Sequence, residues 1–455
     1  MERLLANAAT RAAAYLKGIQ IRCANPSPEA VAGLAAFWEP LPSGPTDPSA
    51  VLQILDEVGS PATTAMAGAR FFGFVMGGAL PASLAANWLA SAWDQNPGLH
   101  LASPVAAELE EVSQGWLLEL LGLPPECAVS FVTGATLANF TALAAARNAV
   151  LRRVGWNVEA DGLFGAPEIT VVTGAEAHPS VFKALGMLGL GRDRVIQVPV
   201  DSQGRMRTEL FPELRAPAIV CLQAGNVNSG AFDPAAEIIE KAHEAGAWVH
   251  VDGAFGLWAG ASPELAHLVS DFAAADSWAT DAHKWLNVPY DSGLAFVRDE
   301  TALRAAMSIS AAYLPQGEHR EPSNYTPELS RRARGVDIWA AVKSLGRAGI
   351  AAMIESNCAS ARRFAEGLTA AGFEVLNEVV LNQVVVSFGP AAANEAVVRG
   401  VLADGTCWCG RTVWQGRTAM RISVSSWRTT ADDVDLSLSA IIRIAREVTN
   451  LPSPA

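Results

Sequence analysis

Two side chains, Lys284 and Asp252, have the types and surroundings that imine chemistry requires. Lys284 stands among small and apolar residues, whereas the other lysines fall in helix-like stretches where a solvated ammonium group is expected. Desolvation favours the neutral amine, which is the form that attacks a carbonyl carbon. The sequence therefore predicts that Lys284 binds a carbonyl compound covalently.

Asp252 follows the strand-like run 248–251 and can face a bound ring from the end of that strand. A carboxylate paired with a pyridine nitrogen keeps that nitrogen protonated and makes the ring an electron sink. The alternative is an aspartate that caps the turn after its strand. The presence of Lys284 in its apolar setting favours the functional interpretation.

Two predicted strand-to-helix turns supply further candidates. In the first turn, Gly134, Ala135 and Thr136 open a helix whose backbone N–H groups can approach an anion, although any tight turn of this kind uses glycine. In the second turn, His178 precedes a helix, and its imidazole either stacks on a flat cofactor or makes structural hydrogen bonds.

The elements that must position these residues alternate between β-branched runs and helix-like stretches from about residue 127 to 300. That alternation predicts βαβ units and a mainly parallel sheet, in which ligands bind at the carboxyl ends of the strands. Four segments are predicted along the chain: a dependent N-terminal helical segment, a large cofactor-binding domain, an irregular catalytic loop and a small α+β domain, at 1–60, 61–310, 311–335 and 336–455.

The composition fits a globular enzyme, because 50% of the residues are hydrophobic and 17% are charged. A net charge of −13 argues against a nucleic-acid partner. No run of apolar residues is long enough to cross a membrane, and scattered cysteines indicate reduced thiols, so a cytoplasmic location is expected. Cys407 and Cys409 lack a second ligand pair nearby, and no metal site is expected.

Taken in order, the motifs resemble the fold-type I pyridoxal 5′-phosphate (PLP) enzymes, specifically the group II amino-acid decarboxylases that include the aromatic L-amino-acid decarboxylases. The similarity runs from about Arg70 to Asp435. It rests on short motifs in family order: Arg70–Phe74, Asp94–Asn96, Ser103-Pro104 with Glu108, Gly134–Thr136 with Asn139, His178, His250–Asp252, His283–Trp285 and Ser330–Arg332. The resemblance implies an α/β fold with a mainly parallel seven-stranded sheet covered by helices on both faces, and a homodimer with active sites at its interface.

The resemblance also implies roles for individual residues. Lys284 would carry PLP as a Schiff base, Asp252 would pair with the ring nitrogen, His178 would stack on the ring and Ala254 would pack beneath it. The phosphate would be held by residues of two turns: Gly134, Ala135, Thr136 and His283.

For the substrate, the resemblance points to Arg421, whose guanidinium group suits a carboxylate, with a surface salt bridge as the alternative. Phe74 belongs to an aromatic group that suggests an aromatic amino acid, although such groups often form plain core: Phe71, Phe72, Phe74, Trp88 and Trp93. Tyr325 precedes the two arginines of the last motif and would be the catalytic acid on a mobile loop.

The expected reaction is removal of the α-carboxylate of an L-amino acid, favoured to be aromatic, as CO2 to give the amine. An aminotransferase or a C–C lyase would use the same lysine and aspartate, and measurement of CO2 against keto acid separates them. A binding protein without activity on this fold is a third hypothesis, which a borohydride-sensitive visible absorbance band would exclude.

Three positions depart from the family pattern. Val227 follows Gly225-Asn226 where a Gly-Thr-Thr stretch is common, and Gly253 stands where alanine is usual. Asp281 replaces an asparagine and puts a negative charge near the expected phosphate.

Overall fold

The computed structural model describes residues 1–308 and 319–450, which form two compact units. The first unit contains residues 1–78, 360–376 and 384 onwards, and the second contains residues 79–359 and 377–383. The division into four segments stays a prediction. Residues 311–318 of the predicted catalytic loop, which include Tyr313, lie outside the described residues.

The helices occur along the whole described chain. Their bounds are α1 Glu2–Gly18, α2 Pro28–Gly33, α3 Pro48–Ile54, α4 Pro81–Trp93, α5 Pro104–Leu121, α6 Ala135–Arg153, α7 Val158–Asp161, α8 Pro179–Met187, α9 Ala235–Glu244, α10 Glu300–Met307, α11 Arg334–Ala370, α12 Ala391–Asp404 and α13 Ala431–Thr449. Proline begins α4, α5 and α8, where the absent N–H has no helical partner to lose.

The strands belong to two sheets. Their bounds are β1 Ala128–Val132, β2 Thr170–Gly174, β3 Ile196–Val198, β4 Ala218–Gln223, β5 Trp248–Asp252, β6 Ser277–Asp281, β7 Gly293–Val297, β8 Glu374–Val375, β9 Gln383–Ser387, β10 Gly410–Trp414 and β11 Arg417–Ser423.

The large sheet lies in the second unit and has the strand order β1-β7-β6-β5-β4-β2-β3. The pairs β2–β3, β2–β4, β4–β5 and β5–β6 are parallel, and β7 runs antiparallel to β1 and β6. Every residue of β1, β4, β5, β6 and β7 is buried, as expected for a sheet covered on both faces. The prediction of a mainly parallel, seven-stranded α/β fold is confirmed.

The smaller sheet has the order β10-β11-β9-β8, with β10–β11 and β8–β9 antiparallel. In the first unit, Phe72 joins Trp408 and Ser423 through backbone hydrogen bonds of 2.8 and 2.9 Å. The ring of Trp408 lies 4.8 Å from that of Phe71, and a Cβ atom at Gly73 would come within 2.2 Å of it. Aromatic packing therefore fixes the course of this segment.

In the C-terminal part of the chain, helix-like stretches at 338–345 and 356–368 and a strand-like run at 379–388 predict three separate elements. Both helical stretches belong to α11, whose two halves meet at Gly346 with a φ of 60°. The strand is limited to β9. Within the described ranges, no helix is both long and apolar enough to cross a membrane.

Candidate active site

Three strands bring their ends to one edge of the large sheet. Asp252 is the last residue of β5 and Asp281 is the last residue of the neighbouring parallel strand β6. Because β1 and β6 both run antiparallel to β7, β1 points the same way and leads into Gly134 at that edge. This is the edge where parallel α/β sheets bind ligands.

Lys284 follows β6 by three residues, and its side chain is 19% exposed. Its Nζ atom lies 2.9 Å from Oδ2 of Asp281, with which it forms an ion pair. Lys284 is therefore only partly buried, and a carboxylate holds its amine in place of the small and apolar surroundings that the sequence predicts.

Asp281 also reaches the start of α6, where the backbone N–H of Ala135 donates to its Oδ1 at 2.5 Å. The close approach depends on glycine at two positions. A Cβ atom at Gly293 would lie 2.4 Å from Cα of Gly134, and one at Gly134 would lie 3.1 Å from the ring of His283. Thr136, the second residue of α6, is half-buried at the same turn.

His283 completes this cluster. The backbone N–H of Ser292 donates to its Nδ1 at 3.0 Å, and its Nε2 lies 3.5 Å from Oδ1 of Asp281. Burial lowers the pKa of His283, and the nearby Asp281 opposes that shift. A neutral ring with Nδ1 as acceptor carries its proton on Nε2, so it presents one N–H toward the carboxylate.

Asp252 is 4% exposed, and neutral donors surround its carboxylate. Nδ2 of Asn139 donates to Oδ2 at 3.2 Å, and the backbone N–H of Ala254 donates to Oδ1 at 3.2 Å. The hydroxyl of Ser180 lies 3.5 Å from Oδ2. These contacts fix the direction in which the carboxylate points.

A line of buried hydrogen bonds extends from Asn139 into the sheet. Its Oδ1 lies 2.8 Å from Nε2 of His250, and Nδ1 of His250 lies 3.0 Å from Oγ of Ser277. Burial lowers the pKa of His250 to about 3, so the ring is neutral. Because the amide of Asn139 donates to Asp252, its oxygen must accept from Nε2–H of His250, which sets one tautomer.

The sequence did not identify this support of Asp252. The motifs in the sequence contain Asn139 and His250 but assign neither residue a role. An asparagine within an otherwise apolar helix face and a histidine inside a strand are the signals that could have indicated it, since buried polar groups need partners.

His178 caps α8, because its Nδ1 accepts the backbone N–H of Ser180 at 3.2 Å and lies 2.7 Å from the hydroxyl of that residue. The hydroxyl of Ser180 also lies near Oδ2 of Asp252, so Ser180 connects His178 to the carboxylate of Asp252. The structural role that the sequence allowed for His178 is present, and stacking on a ring stays a prediction.

Tyr325 lies in the core of the second unit. Its hydroxyl donates to Oε1 of Glu300 at 2.6 Å, and the guanidinium group of Arg320 lies 4.0 Å from its ring centroid. Burial, followed by the hydrogen bond to Glu300, raises the pKa of Tyr325 to about 12. The sequence places Tyr325 on a mobile loop as the catalytic acid, and both the loop's mobility and the role of Tyr325 stay predictions.

The two predicted substrate contacts lie in the first unit. Burial lowers the pKa of Arg421, on β11, to about 10. Phe74 is 55% exposed and its ring lies 5.2 Å from that of Trp408, whereas Phe71 and Phe72 are core residues. The roles of Arg421 and Phe74 toward a substrate stay predictions.

Packing explains the departure at Gly253. A Cβ atom there would come within 2.4 Å of Cδ1 of Leu257. The side chain of Leu257 therefore occupies the space that the methyl group of an alanine at position 253 would need. Gly225 has a φ of 93° and lies against the backbone of Gly256, which accounts for glycine at that turn.

The donor set of the second unit fits PLP. Lys284 offers an amine for its aldehyde, Asp252 offers a carboxylate for its ring nitrogen, and the start of α6 with His283 offers N–H donors for its phosphate. The carboxylate of Asp281, beside these N–H donors, carries a charge that opposes a phosphate. Fold and site together define the class of α/β enzymes that use PLP.

The pyridoxal-dependent decarboxylase conserved domain matches residues 42–388, and the chain belongs to this family. The aromatic-L-amino-acid decarboxylase of Bacillus atrophaeus is 25% identical over 90% of this chain and 88% of its own length. The L-2,4-diaminobutyrate decarboxylase of Rhizobium meliloti is 31% identical over 81% of this chain and 76% of its own length. The protein is therefore a PLP-dependent amino-acid decarboxylase, as the motifs predicted.

The fold also agrees with solved structures. The structure of Oryza sativa TDC with PLP and tryptamine superposes with a TM-score of 0.92, covers 99% of this chain and 98% of that one, and is 23% identical. Mouse CSAD superposes with a TM-score of 0.90 at 22% identity, covering 98% of each chain.

Proposed function

We propose that Lys284 is the PLP-binding lysine of this decarboxylase and that Asp252 faces the ring nitrogen. The observation that carries the proposal is the meeting of Lys284, Asp281, His283 and the start of α6 at the strand ends, beside Asp252. An amine, a buried carboxylate and phosphate donors are thereby gathered at one edge of one sheet.

Bound PLP supplies an aldehyde for the substrate amine and a ring that takes up the electron pair left when CO2 departs. The chain supplies position and protons. Asp252, held by Asn139 and Ala254, presents its carboxylate in one direction and keeps a proton at the ring nitrogen. Lys284 holds the cofactor between turnovers and frees the product amine.

Borohydride reduction followed by peptide mass spectrometry tests the lysine. We expect a pyridoxyl group on Lys284 in the wild type and no reducible visible absorbance band in Lys284→Ala. Lys183→Ala is the matched control, because Lys183 lies on α8 and should leave the band unchanged. A pyridoxyl group on another lysine would overturn the assignment.

For the proton that Cα receives after CO2 leaves, Tyr325 is the proposed donor. The hydroxyl is held by Glu300, and its raised pKa keeps the phenol protonated at neutral pH. Tyr325→Phe should lower kcat about 10²-fold or more, as loss of a general acid does. Tyr15→Phe, in α1, serves as the control. An unchanged kcat in Tyr325→Phe would show that Tyr325 is not the proton donor and has only a structural role.

We propose an aromatic L-amino acid as the substrate. Relatives named aromatic-L-amino-acid decarboxylase and tryptophan decarboxylase support this choice. Other relatives are named for histidine and 2,4-diaminobutyrate, so these are the competing substrates.

Release of CO2 by the purified enzyme from each L-amino acid tests the substrate class. Tryptophan, tyrosine or phenylalanine should give the highest kcat/KM, and Phe74→Ala should raise KM for that substrate about tenfold, as loss of one apolar contact does. Phe164→Ala is the control, since Phe164 is also exposed. A preference for diaminobutyrate or histidine would discard the aromatic assignment.

We further propose a cytoplasmic homodimer. In the N-terminal segment Trp38 and Leu41 are 91% and 93% exposed, and such apolar side chains suit burial against a second copy. All the cysteines are free thiols, which suits a reducing compartment. Light scattering should give the mass of a dimer, and Trp38→Asp should weaken it while Phe164→Asp should not. Cell fractionation checks the compartment.

A further inference from the structure

The carboxylate of Asp281 holds the contacts that the phosphate of PLP needs. Its Oδ1 accepts the N–H of Ala135 at 2.5 Å and lies 3.5 Å from Nε2 of His283, while its Oδ2 lies 2.9 Å from Nζ of Lys284. All three partners belong to the proposed cofactor site. The side chain is 4% exposed, so water screens its charge little.

The start of α6 favours one anion. The first N–H groups of a helix have no helical acceptor, and the helix dipole adds partial positive charge there. In this chain, Ala135 already donates to a carboxylate. A phosphate ester brings close to two negative charges, and two anions that share a buried site repel each other.

The neighbouring cations do not relieve this repulsion. Burial lowers the pKa of His283, so its ring offers one neutral N–H donor rather than a positive charge. Lys284 forms an ion pair with Asp281, but its nitrogen reacts as the neutral amine: it bonds to the aldehyde carbon, and the aldehyde oxygen leaves as water. The ammonium group that pairs with Asp281 must therefore give up its proton before the lysine takes up the cofactor.

We propose that Asp281 competes with the phosphate of PLP for the start of α6 and thereby limits the affinity of this enzyme for its cofactor. The inference rests on the proposed role of Lys284 and deepens it. Asparagine at this position keeps an oxygen that can accept from Ala135 and removes the charge. One buried charge therefore lowers the affinity for PLP below that of the same enzyme with asparagine at position 281.

Cofactor titration of the full-length apoenzyme tests the proposal. Wild type, Asp281→Asn and Asp271→Asn are compared, since Asp271 is exposed and its change alters net charge equally. Asp281→Asn should bind PLP about tenfold tighter, in line with removal of one close like charge. Pyridoxal, which has no phosphate, should bind both proteins about equally, and inorganic phosphate should compete with PLP with a lower inhibition constant in Asp281→Asn. Asp271→Asn should match the wild type throughout.

Three results would overturn the inference. If Asp281→Asn binds PLP no more tightly than the wild type does, Asp281 does not compete with the phosphate. If the variant binds pyridoxal tighter by the same factor as PLP, the effect comes from the ion pair with Lys284 and not from the phosphate. If no protein, wild type included, gives a borohydride-reducible adduct on Lys284, the proposed site itself is wrong. Circular dichroism checks folding, and Asp281→Ser gives a second uncharged variant if Asp281→Asn is unstable.

Discussion

Asp252 and Asp281 end neighbouring parallel strands at the same edge of the sheet, and both are buried, yet their partners differ. Neutral donors from Asn139 and Ala254 hold Asp252. Asp281 pairs with the amine of Lys284 and takes the first N–H of α6. The difference shows that the strand end sets where a carboxylate lies, while its hydrogen-bond partners set what it can do there.

The sharpest test of this contrast compares isosteric changes at the two positions. Asp252→Asn should lower kcat about 10²- to 10³-fold with saturating PLP, because a group that stabilises developing charge is lost. Asp281→Asn should change kcat by less than about tenfold under the same conditions, because its charge acts on binding. Steady-state CO2 release measures both. Similar losses of kcat at the two positions would contradict the view that Asp252 acts on catalysis and Asp281 on cofactor binding.

One of the hydrogen bonds that hold the carboxylate of Asp252 comes from Asn139 and can be removed by mutation. Asn139→Ala removes the amide that donates to Asp252 and should lower kcat about 10- to 100-fold, as loss of an orienting partner does. Thr141→Ala on the same helix is the control, because the hydroxyl of Thr141 bonds the backbone of Leu137. An unchanged kcat in Asn139→Ala would show that Asp252 needs no such support.

The neutral His250 behind Asn139 predicts a pH effect on stability. Its folded pKa of about 3 lies below its ordinary value of 6.5, so the unfolded chain binds more protons between these values. The contribution of His250 to the free energy of unfolding is fully present above pH 6.5 and decreases as the pH falls below that value. Between about pH 7 and pH 5 the loss amounts to about 2 kcal/mol.

Denaturant unfolding at the two pH values measures this loss. His250→Gln keeps an N–H that can donate to Asn139 and should show a shallower pH slope than the wild type by about that amount. His243→Gln, which changes an exposed histidine beside Asp276, is the matched control. Parallel slopes for wild type and His250→Gln would contradict the buried neutral ring.

The smallest expected effect is at Ser180. Its hydroxyl lies 3.5 Å from Oδ2 of Asp252, a distance at which a hydrogen bond contributes little. Ser180→Ala should therefore change kcat less than about threefold, against the larger loss in Asn139→Ala. A loss equal to that of Asn139→Ala would mean that Ser180 holds Asp252 more firmly than its distance indicates.

Much of the fold could be predicted from the sequence, because the β-branched runs of the large sheet are local signals. Lys284 and Asp252 could be found for the same reason: a lysine among apolar residues and an aspartate at a strand end are visible without a structure. The contact between Asp281 and Ala135 could not, since it joins distant residues that only the sheet brings together. Lys284 and Asp281 are three residues apart, but their pairing depends on the turn that follows β6, which the sequence does not specify.

Other differences have similar causes. Gly346 has a positive φ inside α11, where a helical pattern in the sequence shows a break but not whether the chain resumes as a helix. The position of Tyr325 before two arginines predicts a loop residue, whereas its hydrogen bond to Glu300 depends on the position of α10. The contact between its ring and Arg320, five residues earlier, depends on the local course of the chain, which residue spacing does not specify.

The glycine pair at the strand edge has a practical meaning for anyone who redesigns this enzyme. Even a methyl group at position 293 would sit 2.4 Å from Cα of Gly134, so the turn that carries Ala135 would have to retreat. Libraries that vary residue 293 or 134 should therefore yield mostly inactive clones. The affinity for PLP should instead be changed through side chains that line the turn, and position 281 is the first one to vary.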